Sequence, residues 1–281
     1  LFKVAVIVVL CVISHKSAKH IGKPVFAVLA VAVHYSLHLF FQPFKGLIVQ
    51  THLAYHIVNR FYAQLFGAGN GGRLIESLAT QGIKPEDITE VLLTHAHSDH
   101  AGGLVNDGKM VFSNARVFVG KPDVDFFFND ENQKKTGYGK NYFDVAQKTL
   151  KPYLDAGKVV PFSGTSDILP GLTGTVHPGH TPGSAFYTLT SKGEKITFVG
   201  DIIHAAAVQF PQPDVTITYD EDQNKAASVR EHAFADFVKD KDLVAAPHLP
   251  FPGIGYVTQG ENGGYAWVPV TYTNRDASSA K

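Results

Sequence analysis

The chain holds 281 residues, with 25 Lys+Arg against 25 Asp+Glu, 44% hydrophobic residues and 14 His. That length and apolar share suit a soluble globular protein of one large domain or two small ones, with ample material for a core. A net charge of zero excludes a general nucleic-acid binder, which needs surplus Lys and Arg; the single cysteine, Cys11, excludes an internal disulfide and a thiolate zinc cage.

Charge is unevenly placed, since every acidic residue lies at or beyond Glu76 whereas the first 75 residues carry seven Lys+Arg and six His. The opening stretch Leu1 to Ile13 has the basic, apolar start of a signal peptide but no small-x-small cleavage pattern, and it is too short to span a bilayer. Rich in Val and Ile, it reads as a buried strand, as does Val25 to Val33. Leu74, Ile75 and Leu78 share one helical face, and Gly82 stops that helix. A strand at Val91 to Leu93 follows, then another at Ala115 to Val119 and a helix from Pro122 through Phe128. Tyr138 to Leu154 is the next predicted helix. Thr173 to Val176, Ala185 to Thr190 and Ile196 to Val199 are predicted strands. Gln223 to Val238 places Ala226, Val229, Ala233, Phe234 and Phe237 at helical spacing, and Val244 to Ala246 and Trp267 to Tyr272 close as strands. Strands and helices interleave without a linker, so one α/β domain over residues 1–281 is expected, with helices outside a sheet core.

Chemistry concentrates after the Val91 strand, in Thr94-His95-Ala96-His97-Ser98-Asp99-His100. Alternate residues of an extended segment point the same way, so His95 and His97 can serve one position while Asp99 and His100 turn toward a second. A polar surface loop is the bland alternative, but His-x-His-x-Asp-His arises by chance in only about two in a thousand chains of this composition. His180 in Gly179-His180-Thr181-Pro182-Gly183, Asp201 after Val199-Gly200 and His248 in Pro247-His248-Leu249-Pro250 each sit in a loop after a strand. Individually they are ordinary loop residues. Together, five His and two Asp suit a carboxylate-bridged pair of borderline ions such as zinc. Ser98 has no identifiable base partner, and His177 reads as a plain loop histidine.

These residues resemble the metallo-β-lactamase superfamily, and within it the methyl parathion hydrolase group of organophosphorus hydrolases. The closer likeness rests on Pro161 to Gly164, His180 to Gly183, Gly200-Asp201 with Ala206 to Phe210, His248 to Gly255, and Val268-Pro269-Val270. It covers about residues 65 to 273. The resemblance implies an αββα sandwich in the α/β class, with two divalent metal ions, zinc above all, at one edge. It gives one ion to His95, His97 and His180 and the other to Asp99, His100 and His248, with Asp201 bridging; Asp99 and Asp201 become the carboxylates of the reaction centre. It further implies a small-molecule ester substrate, a homodimer, no membrane or nucleic-acid partner, and a periplasmic or secreted location ahead of a cytoplasmic one. The first 64 residues match only by register, and the family's supporting Asp-Thr-Gly is replaced by Asn59-Arg60-Phe61.

Two ions that share a water lower its pKa enough to provide a bridging hydroxide at neutral pH. Attack on phosphorus or carbonyl carbon with a stable aryloxide leaving group needs no general acid, and the sequence offers none. By the resemblance, phosphotriester hydrolysis with aryl-ester or lactone side activity is expected; a lactonase of the acyl-homoserine-lactone type with incidental phosphotriesterase activity is the alternative. Phe126-Phe127-Phe128 and Tyr142-Phe143 are the expected pocket wall, Phe127 and Phe143 foremost. His204, three residues after Asp201, stands where related lactonases place a substrate-contacting Tyr.

Overall fold

The computed structural model describes residues 10–13, 26–29, 74–80, 83–250 and 253–271. Asn59 to Phe61 and Gly82 lie outside the described residues. The two expected N-terminal strands are present as β1 (Leu10–Ile13) and β2 (Phe26–Leu29), paired antiparallel.

Two larger sheets build the molecule. The smaller has the order β3-β6-β7, all parallel, from β3 (Glu90–Leu93), β6 (Arg116–Gly120) and β7 (Val159–Phe162). The larger runs β14-β13-β12-β11-β10-β9-β8, from β8 (Thr165–Leu169), β9 (Leu172–Val176), β10 (Ala185–Ser191), β11 (Glu194–Phe198), β12 (Leu243–Ala245), β13 (Ile254–Gln259) and β14 (Tyr265–Pro269). Only β11 and β12 pair in parallel there. A short hairpin, β4 (Val105–Asn106) with β5 (Lys109–Met110), stands apart.

The period-2 pattern of the strands decides the layering. In β10, Ala185, Tyr187 and Leu189 join the core shared with the small sheet, and Phe186 points the other way. In β12, Leu243 and Ala245 divide from Val244 in the same manner. Tyr187 also ties the sheets by polar contact, its hydroxyl 3.0 Å from the carbonyl oxygens of both Leu93 and Phe118.

Helices cover the two outer faces. After α1 (Leu74–Thr80), α2 (Ser98–Ala101), α3 (Lys121–Phe127) and α4 (Asp130–Thr136) comes α5 (Lys140–Asp155), which buries Phe143, Ala146, Leu150 and Tyr153 in the core containing the small sheet. Beyond the short α6 (Ala206–Gln209), α7 (Gln223–Asp240) lays Ala233, Phe234 and Phe237 on the outer face of the large sheet, with Phe186, Val244 and Val257. Burying an aromatic ring of this kind is worth about 1.5–3 kcal/mol. Helix, sheet, sheet, helix is thus the layer order, an αββα sandwich.

The expected helix at Tyr138 begins at Lys140 instead. Gly137 caps α4 at a left-handed φ of 69°, and Gly139 is extended, so Tyr138 sits in a turn between two helices. The closing strand runs over Tyr265–Pro269, earlier than Trp267 to Tyr272.

Candidate metal centre

The loops that follow β3, β9, β11 and β12 converge at one edge of the sandwich. His97 keeps extended backbone (φ −72°, ψ 159°), which leaves His95 and His97 pointing together before Ser98 opens α2 and turns Asp99 and His100 aside. His95, His97 and His180 form one group of donors, and Asp99, His100, Asp201 and His248 a second, each with its ligand atoms within 4.8 Å of one another.

Asp201 stands between the two groups. Its Oδ1 lies 2.9 Å from His100 Nε2, and its Oδ2 lies 3.0 Å from His248 Nε2, 3.4 Å from His180 Nε2 and 3.7 Å from His95 Nε2. Burial alone would raise its pKa, but the surrounding His100, His248, His204 and His95 outweigh that and hold the carboxyl well below the usual range. Burial, reinforced by neighbouring imidazoles, drives His95 and His97 down as well, far below an ordinary histidine. Both rings are therefore neutral at pH 7, as a ligating imidazole must be.

Ring partners fix where the protons sit. Tyr138 Oη is 2.6 Å from His97 Nε2 and donates its single proton to the Tyr219 carbonyl at 2.8 Å, so His97 Nε2–H is the donor and Nδ1 keeps its lone pair. Burial raises the Tyr138 phenol, keeping that proton in place. His180 Nδ1 donates to Asp220 Oδ1 at 2.8 Å, which leaves the lone pair on Nε2. These two lone pairs face each other at 3.0 Å. Acceptor facing acceptor is repulsive unless a cation stands against both, and His95 Nε2 is a third buried nitrogen there with no hydrogen bond. The donor set thus fits a divalent ion of the zinc type. Thr94 Oγ1 serves both groups, lying 3.2 Å from His95 Nδ1 and 3.4 Å from His100 Nδ1.

Two buried carboxylates escaped the sequence reading. Asp123, in α3, accepts from Ala96 N at 2.9 Å and Gly183 N at 2.6 Å, fastening the loop of His95 and His97 to the loop of His180. Burial pushes its carboxyl up to about 6. Gly183 is obligatory there, because any side chain would run into Asp123. Asp220 is the second, and Arg230 beside it is fully buried on the apolar stripe of α7. A lone Arg at helical spacing from Ala226 and Ala233 was the visible signal.

The expected pocket wall is corrected in part. Phe127 and Phe143 are 0% and 2% exposed and pack against Phe126 in the core, because apolar rings on helices facing a sheet bury themselves. The Phe127 ring still meets the His97 ring edge-on at 6.2 Å, and Tyr138 and Tyr142 stand closer, stacked with centroids 4.5 Å apart, with Tyr142 5.0 Å from the His97 ring. His204 does face the centre, its Nε2 3.0 Å from Asp201 Oδ2 and its ring stacked on His248. His177 stacks on Phe186 and belongs to neither donor group. Among the described residues no helix is long and apolar enough to cross a membrane.

Residues 65–248 match the family model described as the metallo-beta-lactamase superfamily. A crystal structure of AbOPH, a hydrolase in the beta lactamase superfamily, aligns at TM-score 0.69 and 35% identity, covering 75% of this chain and 74% of that one. AidC, a dizinc quorum-quenching lactonase, aligns at TM-score 0.66 and 28% identity over 75% of this chain and 74% of its own. An N-acyl homoserine lactonase of Bacillus cereus is 27% identical over 111 residues, 40% of this chain and 36% of the lactonase. Metallo-beta-lactamase domain-containing protein 1 of Mus musculus is 64% identical over 33 residues, 12% of this chain and 13% of that protein. The matches thus span well under half the length of these curated relatives.

Proposed function

The chain belongs to the metallo-β-lactamase superfamily and is a hydrolase of it, and from that premise we propose a dinuclear metal-dependent hydrolase of organophosphate triesters with aryl-ester and lactone side activity. The observation that carries this reading is the Asp201 carboxylate, which reaches His180 and His95 on one side and His100 and His248 on the other. In this reading His95, His97 and His180 would hold one zinc ion and Asp99, His100 and His248 the other, with Asp201 within reach of both groups. The chemistry such a pair would supply is Lewis acidity toward a P=O or C=O group and activation of a water at neutral pH.

The remaining work falls to the chain itself. Thr94, Tyr138 and Asp220 fix the ring protons so that lone pairs point inward. An aryloxide leaving group departs unprotonated and needs no proton donor. The stacked Tyr138–Tyr142 pair offers an aromatic face to the aryl group. A homodimer completes this reading, and sedimentation registers it.

A second reading, a lactonase with incidental phosphotriesterase activity, is favoured by His204, a polar ring at the centre with 15% of its side chain exposed. His204 can hydrogen-bond a lactone carbonyl or ring oxygen. Turnover of an aryl phosphotriester against an acyl-homoserine lactone separates the two: a higher kcat/KM for the phosphotriester supports the first reading, and a preference for the lactone overturns it. His204→Leu sharpens the comparison. Phosphotriester turnover rises as a polar group leaves an apolar contact, and lactone kcat/KM falls by one hydrogen bond, about 0.5–1.5 kcal/mol or roughly two- to twelvefold. Parallel changes would remove His204 as the discriminator.

A further inference from the structure

We propose that Asp220, backed by Arg230, is a positioning carboxylate that serves the three-histidine group alone, supplying through the His180 ring a negative charge besides the one that Asp201 shares between both groups. The inference rests on the metal reading above. The two groups differ in composition: beyond the shared Asp201, one has the carboxylate of Asp99 among its donors, whereas the other is made of the histidines His95, His97 and His180. Their ring partners differ too. His95 and His100 meet the Thr94 hydroxyl, and His97 meets the Tyr138 hydroxyl. Among the described residues that hydrogen-bond these rings away from the centre, only Asp220 carries charge. A carboxylate accepting the far N–H of an imidazole makes the near nitrogen a stronger donor and fixes the ring's orientation.

The surroundings are built to hold that carboxylate. Asp220 is fully buried in side chain; its Oδ2 accepts from Ile217 N at 3.2 Å and faces Arg230 Nη2 at 3.7 Å. Arg230 is held rigid by three carbonyls, with Nε donating to Ile202 O at 2.6 Å and Nη1 to Pro213 O and Val215 O at 2.7 and 2.9 Å. Its guanidinium sets a positive charge against Oδ2, while the carboxylate's shorter contact is to the histidine. Backbone pairing sets the register: Glu221 N donates to His180 O at 3.0 Å and Asp222 N to Gly179 O at 2.9 Å. Gly179, at φ 155°, lies against the backbone of Ala226, where a side chain would collide with α7 and pull His180 from Asp220.

The test is Asp220→Asn in the full chain loaded with zinc, with release of each ion followed by competition against a chelator. Asparagine keeps the shape and the acceptor and removes the charge. One of the two ions is expected to bind about 10- to 100-fold more weakly while the other is unchanged. Where the single variant does not fold, judged by circular dichroism, Asp220→Asn with Arg230→Met removes both buried charges and is expected to weaken the same one ion. A purely structural Asp220 would loosen both ions alike; that result, or two ions held as in the parent, overturns the proposal. A parent protein that carries one ion refutes the dinuclear reading instead, and the role of Asp220 is then read on that ion, with unchanged release overturning it.

Discussion

The two halves of the centre are built by opposite strategies. The small sheet delivers His95, His97, Asp99 and His100 from one unbroken loop after β3, so local backbone geometry alone sets their spacing. The large sheet delivers His180, Asp201 and His248 from three separate strand ends, and their spacing depends on the whole sheet being formed. Neither donor group is confined to one half, since His95 and His97 need His180, and Asp99 and His100 need Asp201 and His248. The centre is therefore a joint between sheets, and the residues that matter most are those that fasten one half to the other.

Asp201 is the strongest fastening. Asp201→Asn keeps its shape but halves its ability to bridge, and the expected result is loss of one ion with activity down roughly 100-fold or more, beyond the effect of losing a supporting partner. Near-normal turnover with both ions retained would show that the halves are joined elsewhere.

Asp123 comes next, because it fastens backbone to backbone. Asp123→Ala strands the buried N–H groups of Ala96 and Gly183 at about 1–3 kcal/mol each, a loss of about 2–6 kcal/mol readable by urea unfolding. The pH dependence has a definite sign. Burial places the folded carboxyl at about 6, above its unfolded value, so the folded state takes up the proton first and the parent gains stability as pH falls through 6. The deficit of Asp123→Ala should grow by about 1 kcal/mol between pH 7 and pH 5. A deficit that shrinks over that range would mean the carboxyl is not held high by burial.

Thr94 is the gentlest of the three. Its one hydroxyl meets His95 and His100, a member of each donor group, so Thr94→Val should weaken both ions about 10- to 100-fold, and Thr94→Ser should restore them. That outcome contrasts with Asp220→Asn, which is expected to touch one ion. Chelator competition on the two variants side by side distinguishes a shared support from a private one.

The same contrast explains what could be read from residue order. The loop from Thr94 to His100 was plain because its chemistry is contiguous; the alternation of elements placed helices outside a sheet core, and the αββα layering came with the resemblance. His180, Asp201 and His248 became legible only as a set, from their places in loops after strands, and the resemblance added which ion each would serve. Asp123 and Asp220 were not, because each meets its partners across long stretches of chain: 27 residues from Ala96 and 40 from His180. An isolated Asp carries no local mark of that. Phe127 and Phe143 were ambiguous for a related reason, since helical aromatics look alike whether they line a mouth or fill a core; both are buried, and the Phe127 ring still lies 6.2 Å from that of His97. Tyr138, in the turn between α4 and α5, is the ring that reaches His97.

The central claim is that one joint between two sheets holds two ions. Elemental analysis of the purified full chain after equilibration in zinc-replete buffer and removal of free metal tests it most directly. Two zinc ions per chain are predicted, from seven donors that exceed what one tetrahedral site can use; one ion or none would contradict it.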